Sequence, residues 1–168
     1  MIRTAILTMS DKGSRGERMD KSGQVIKEMI ETLPAEIVSY EIIPDERDII
    51  KERLIHLSDM TKADLIITTG GTGLSPRDVT PDVTLDIIDK EVPGMAEAMR
   101  AESLKKAPTS MISRAVVGTR GETLIINLPG SPKAVRENLS VVLPAIPHAI
   151  EKLKGDQRDC SELIGNNQ

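Results

Sequence analysis

The 168-residue sequence contains no phenylalanine and no tryptophan, and Tyr40 is its only tyrosine. Sequence-tolerant binding of single-stranded nucleic acid relies on aromatic platforms for base stacking, so that class of function is not expected. A formal net charge of −4 also provides no basic field to hold a polyanion. Cysteine is nearly absent: Cys160 stands alone in a polar C-terminal stretch, which excludes a disulfide framework or a cysteine-rich metal site. No apolar run approaches the roughly 20 residues that cross a bilayer. The opening Met1-Ile2-Arg3-Thr4-Ala5-Ile6-Leu7-Thr8 is too short and too polar for a secretory leader. We therefore expect a cytoplasmic protein with no membrane and no nucleic-acid partner. Its core has to be filled by Ile, Leu, Val and the eight methionines.

What is present alternates between strand and helix patterns. Ile2 to Met9, Ile37 to Ile43 and Asp64 to Thr69 read as strands. The helix entered at Ser22-Gly23 carries Val25, Ile26, Met29, Ile30 and Leu33 at helical spacing, and Pro34 stops it. A helix follows Pro44-Asp45-Glu46, with Asp45 as its expected cap, and another starts at Thr80-Pro81. Met95 to Lys105 is helical; Ala115 to Thr119 and Thr123 to Leu128 form strands joined at Arg120-Gly121. Helices after Pro132 and Pro147 complete the pattern. The fold class is α/β, three-layer αβα, with a mostly parallel sheet and one antiparallel edge strand. Residues 1–154 are expected to form one domain, and 155–168 a polar tail.

The segment from Thr68 to Asp82 concentrates three glycines, four threonines, Ser75, Arg77 and two aspartates behind a buried strand. Glycine allows sharp turns and close approach of backbone to ligand, and backbone N–H groups with hydroxyls make anion sites. Arg77 suits phosphate charge and Asp78 suits a divalent cation. No Gly-Lys-Ser/Thr follows, and the Gly-x-Gly-x-x-Gly spacing is missing, so neither the Walker A loop nor the dinucleotide fingerprint applies. In parallel sheets ligands bind beyond the carboxyl ends of the strands. The loops there are Ser10–Asp20, Pro44–Glu46, Gly70–Asp78 and Pro129–Lys133, and all four are polar.

Thr69-Gly70-Gly71-Thr72-Gly73 with Arg77-Asp78-Val79-Thr80-Pro81 closely resembles the signature of the molybdopterin adenylyltransferases of the MogA/MoaB type, including the G domain of gephyrin. Further segments match in order: Ser10-Asp11, Asp20-Lys21-Ser22-Gly23, Ile43-Pro44-Asp45-Glu46, Pro93-Gly94-Met95, Ser113-Arg114, and Gly118 through Lys133. The resemblance runs from about Ile2 to Lys154. It implies transfer of AMP from ATP to the terminal phosphate of molybdopterin, with Mg²⁺ required and pyrophosphate released. It places the acidic catalytic and metal-holding pair at Asp45 and Asp78. Gly70, Gly71, Thr72, Gly73, Ser10 and Asp11 fall at nucleotide or phosphate contacts. Ser22, Pro129, Gly130, Ser131 and Lys133 fall at molybdopterin contacts.

The same resemblance implies a homotrimer, for which the apolar positions Met95, Ala96, Ala98, Met99 and Leu104 offer a face, and hand-over of product to a molybdenum-insertion protein. Bland readings stand beside several of these residues. Asp45 and Ser22 suit helix caps, Asp78 a loop ion pair with Arg77, Lys133 a solvated charge, and the Met99 face the domain's own sheet. A non-catalytic molybdopterin-binding or scaffold module is the alternative function. A nucleotide- or sugar-phosphate enzyme outside cofactor synthesis is a third.

Overall fold

The computed structural model describes residues 1–156. Its centre is a six-stranded sheet in the order β2-β1-β3-β6-β5-β4. The strands are β1 (Ile2–Met9), β2 (Ala35–Ile43), β3 (Leu65–Thr69), β4 (Lys90–Glu91), β5 (Val117–Arg120) and β6 (Thr123–Leu128). β2, β1, β3 and β6 are parallel; β5 runs antiparallel to β6, as the tight turn at Arg120-Gly121 implies. The sheet does not end at β5. Two residues, Lys90 and Glu91, pair antiparallel with Thr119 and Gly118 and form the true edge. So short and charged a strand has no periodicity to announce it, and its brevity suits an edge that must not recruit another chain.

Strand alternation divides the core. Ile6, Leu65, Ile67, Leu124 and Ile126 face the helices α2 (Lys21–Ile30), α5 (Pro93–Leu104), α6 (Pro132–Val142) and α7 (Ile146–Leu153). The intervening Ala5, Leu7, Ile66 and Ile125 face α3 (Arg47–Asp59) and α4 (Thr80–Ile87). Each fully buried aliphatic side chain contributes about 1.5–3 kcal/mol, so two such layers sustain a core without aromatic rings. Methionine contributes less than its number promised. Met9, Met29 and Met99 are buried, whereas Met1, Met19, Met60 and Met111 are exposed. Met99 and Ala96 belong to the core packed on the sheet, so the helix read as an assembly face turns those two side chains inward.

Strand register brings four loops together. Met9 lies beside Ile43, Thr8 beside Thr69, and Thr69 beside Leu128. The parallel strands therefore end nearly level, and the segments after Met9, Ile43, Thr69 and Leu128 emerge side by side.

Candidate active site

Hydrogen bonds tie these loops to one another rather than leaving them as independent turns. Thr69 Oγ1 donates to the Pro129 carbonyl at 2.7 Å, Gly70 N to the Leu128 carbonyl at 3.1 Å, and Ser22 Oγ to the Gly130 carbonyl at 2.6 Å. Ser10 N donates to the Ile43 carbonyl at 2.8 Å and begins a single helical turn, α1 (Asp11–Ser14), within a segment read as loop. Ser10 Oγ caps it by accepting from Gly13 N.

Three residues suited to capping are used elsewhere. α2 is capped by Asp20, which accepts from Gly23 N at 2.8 Å, not by Ser22. α3 follows Glu46 with no side-chain cap, and the Asp45 carboxylate instead accepts from Asp11 N at 3.1 Å. Thr80 is the first residue of α4 rather than its cap; its hydroxyl donates to the Gly70 carbonyl at 3.1 Å and fastens the helix to the glycine turn. Ser131 does cap α6, accepting from Ala134 N at 3.2 Å.

Gly70 and Gly71 have φ of +97° and +66°, left-handed values that disfavour any side chain. Space demands glycine too. A Cβ on Gly71 would lie 2.5 Å from Thr80 Oγ1 and 3.3 Å from Asp45 Oδ1, and one on Gly73 2.8 Å from Asp78 Oδ2. One carboxylate thus lies against Gly71 and the other against Gly73. Among the described residues, the N–H groups of Gly71, Thr72 and Gly73 have no acceptor within the protein, which leaves three consecutive donors for ligand or solvent.

A cavity of about 490 Å³ opens here, lined by residues of all four loops, among them Ser10, Asp11, Ser22, Asp45, Gly71, Asp78 and Gly130. Gly70 also lines it. Thr72, Gly73, Pro129, Ser131 and Lys133 line a second hollow of about 360 Å³, to which α5 contributes Arg100 and Ser103 and the turn after it Lys106. The glycine segment therefore contributes to both hollows. The expected nucleotide set and the expected molybdopterin set are each divided between them.

Charge is distributed unevenly in the first cavity. Arg77, expected at phosphate, donates to Asp11 at 2.8 Å and to Glu46 at 3.0 Å, and does not pair with Asp78. The Arg77 hydrogen bond, followed by that from Asp45 N, holds the Asp11 carboxyl below the usual range. Asp45 goes the other way: burial first, with the negative charges of Asp11 and Asp78 also contributing, raises its carboxyl. Asp78 accepts from Ser75 N at 3.0 Å. Among the described residues, neither Asp45 nor Asp78 forms an ion pair, although Arg77 lies near enough to Asp45 to offset part of that rise. Two carboxylates near a donor-rich turn fit a divalent cation that phosphates complete, since magnesium commonly takes one or two protein carboxylates. Among the described residues no cluster of three or more potential ligands exists.

Asp20 is the residue the sequence reading passed over. Besides capping α2 it accepts from Thr8 Oγ1 at 2.7 Å and from the Tyr40 hydroxyl at 2.6 Å, at the cavity wall. Burial, then the Asp20 hydrogen bond, pushes the Tyr40 phenol above its ordinary value. Asp20, three residues before Gly23, was the available signal.

Known proteins resemble this chain in sequence and fold. Residues 5–148 match a family model described as a probable molybdopterin binding domain. A molybdopterin adenylyltransferase of Helicobacter pylori is 43% identical over 164 residues, spanning 96% of this chain and 93% of that protein. The crystal structure of the molybdopterin biosynthesis enzyme MoaB from Thermus thermophilus is 52% identical, with a TM-score of 0.87 over 92% of this chain and 98% of that one. A tungsten cofactor synthesizing protein MoaB from Pyrococcus furiosus is 36% identical, with a TM-score of 0.81 over 91% and 97% of the two chains. Sequence and fold converge, and the chain belongs to the molybdopterin-binding domain family of the MogA/MoaB type.

Proposed function

We propose that this protein is a molybdopterin adenylyltransferase, joining AMP from ATP to the terminal phosphate of molybdopterin in molybdenum cofactor synthesis. The likeness to named adenylyltransferases over nearly the whole chain supports this activity. The observation that carries the mechanism is the pair of carboxylates outside any ion pair, Asp45 beside Gly71 and Asp78 beside Gly73, next to three unpaired backbone donors.

A phosphate oxygen of molybdopterin attacks the α-phosphorus of ATP; one P–O bond forms, the α–β P–O bond breaks, and its electron pair leaves with pyrophosphate. Charge rises on phosphate oxygens as this happens. The N–H groups of Gly71, Thr72 and Gly73 provide donors already fixed by the turn, which is the most effective electrostatic help for such transfer. Asp45 and Asp78 would hold magnesium, whose charge would offset that of the phosphates. No covalent nucleophile from the protein enters, because the second substrate supplies it. The two adjoining hollows offer room for two substrates, with the glycine segment between them positioned to hold the reacting phosphates. Ser10, Asp11, Gly70 and Gly71 serve the nucleotide side. Ser131, Pro129 and Lys133 serve the pterin side, with Ser22 and Gly130 joining the loops beneath.

Residues 1–154 form the working unit in this reading, in the cytoplasm, as a homotrimer that passes product to a molybdenum-insertion protein. Among the described residues no helix is long and apolar enough to cross a membrane. Exposed Leu74, Leu104, Met111 and Ile112 are available apolar surface for assembly, a role from which buried Met99 is excluded. The tungsten-cofactor relative keeps the identity of the final metal open.

Mass spectrometry of purified protein incubated with molybdopterin, ATP and Mg²⁺ tests the activity. Adenylyl-molybdopterin, with one pyrophosphate released per product, is expected. Bound molybdopterin with no adenylylated product would instead assign a binding module.

A further inference from the structure

The glycine segment is held from behind by a residue that lines neither hollow. Arg114, from the stretch before β5, donates its backbone N–H to the Thr72 carbonyl at 2.9 Å. Its Nε donates to the Gly73 carbonyl at 2.9 Å and its Nη2 to the Asp78 carbonyl at 2.6 Å. Nη1 and Nη2 also bond the Asp82 carboxylate, each at 3.0 Å, from the first turn of α4. One guanidinium thus grips both ends of the exposed excursion Leu74–Arg77 and the helix that follows it. Asp82 orients that guanidinium. The Arg114 hydrogen bond holds the Asp82 carboxyl below its usual value.

The geometry has a directional consequence. A peptide unit is planar and trans, so its C=O and the following N–H point in opposite directions. Drawing the Thr72 carbonyl towards Arg114 turns the Gly73 N–H away from it, and that N–H is one of the three donors without a protein acceptor. Drawing in the Asp78 carbonyl fixes the backbone that carries the Asp78 carboxylate. Gly73 completes the fit, since a Cβ there would lie 2.8 Å from Asp78 Oδ2.

We infer that Arg114, oriented by Asp82, is a positioning residue whose guanidinium holds the Gly73 and Asp78 carbonyls, and with them the Asp78 carboxylate, for AMP transfer, without itself touching substrate. The inference rests on the adenylyl-transfer reading for its kinetic consequence, but its structural half does not. Only arginine fits the role: its planar fork addresses two carbonyls and a carboxylate at once, whereas a lysine ammonium is a single compact charge. Arg114→Lys should therefore lower kcat at least about tenfold, the cost of roughly 1.4 kcal/mol in the transition state, with KM for ATP changed less than about threefold. Asp82→Asn should lower kcat in the same direction. The double variant should be scarcely worse than Arg114→Lys alone, because the two residues act as one unit.

The experiment combines steady-state kinetics with hydrogen exchange of the unliganded protein. Faster amide exchange confined to residues 71–79 in Arg114→Lys and Asp82→Asn, with the β1, β3 and β6 amides unchanged, is expected alongside the kcat loss. Wild-type exchange rates over 71–79 in both variants would overturn the inference whatever the protein catalyses. A kcat within about twofold of wild type in Arg114→Lys would overturn it with the adenylyl-transfer reading intact. Absence of product from the wild type would remove that reading alone, and the exchange result would still decide whether Arg114 sets the loop.

Discussion

Asp11 and Asp45 stand in the same cavity wall and exchange backbone hydrogen bonds, Asp11 N to Asp45 Oδ2 at 3.1 Å and Asp45 N to Asp11 Oδ1 at 3.0 Å. Their surroundings nevertheless differ. Asp11 lies under the exposed Arg77 guanidinium and its carboxyl is lowered; Asp45 is half-buried beside Asp78 and its carboxyl is raised. A carboxylate matched by a cation is structurally satisfied. One that stays ionised against burial and a neighbouring like charge costs stability, and such costs cluster where a ligand supplies the missing charge. In the proposed mechanism the Asp45–Asp78 side is the chemical one and the Asp11–Arg77 side its rim.

Breaking the chemical side should have the largest effect. Asp78→Asn is expected to lower adenylyl transfer at least about a hundredfold with the fold retained, because its carboxylate sits on a loop outside both cores. Circular dichroism beside the rate assay checks it. Gly71→Ala should follow: the left-handed φ and the contacts with Thr80 and Asp45 force the turn to shift. Titration calorimetry should show ATP binding weakened far more than in Ser75→Ala, and equal affinities would refute the cradle. On the rim, Arg77→Ala should cost less than either, since exposed ion pairs contribute little. Its transfer rate should stay within about tenfold of wild type, and a loss matching that of Asp78→Asn would erase the distinction between the two sides.

The same contrast has a pH signature. The Asp45 carboxyl is raised in the folded state, so the native protein binds the proton more tightly than the unfolded chain does. Its ionisation therefore costs stability above the folded-state value, and the cost disappears below the ordinary 3.8, where both states are protonated. Asp45→Asn should raise the thermal midpoint at pH 7, with the gain vanishing towards pH 3. Asp11 has the opposite sign: its contribution is present above 3.8 and is lost as pH falls through its lowered value. Asp11→Asn should leave the midpoint at pH 7 unchanged or slightly lower.

The sheet was legible because its signals are local. Buried aliphatic runs at Ile2–Met9, Leu65–Thr69 and Thr123–Leu128 have no competing reading, and the polar loops behind them follow from strand direction. What escaped was the destination of individual polar side chains. Ser22, Asp45 and Thr80 have the chemistry of helix caps, but each bonds a partner 108, 34 and 10 residues away, respectively. A side-chain oxygen suited to a local N–H is equally suited to a distant one, and only the fold chooses. Arg77 and Arg114 exchanged expected importance for the same reason: Arg77 is taken by Asp11 and Glu46, while Arg114 reaches back to the glycine turn. Lys90-Glu91 escaped as a strand through brevity. The helix at Met95–Lys105 was readable as apolar, but not which way it faced; Met99, at 1% exposure, makes a charge there a blow to folding rather than to assembly alone. Cys160 and most of the expected tail lie outside the described residues.

Asp45 is where chemistry and stability should part most clearly, so the decisive measurement is single-turnover formation of adenylyl-molybdopterin by wild type and Asp45→Asn, with thermal unfolding recorded on the same samples at pH 7. The account predicts at least about a hundredfold slower transfer together with an equal or higher midpoint, because the group removed is a half-buried carboxylate that, in the proposed mechanism, a ligand cation would balance. Transfer at a near-normal rate, or a loss that merely tracks a lower midpoint, would contradict it.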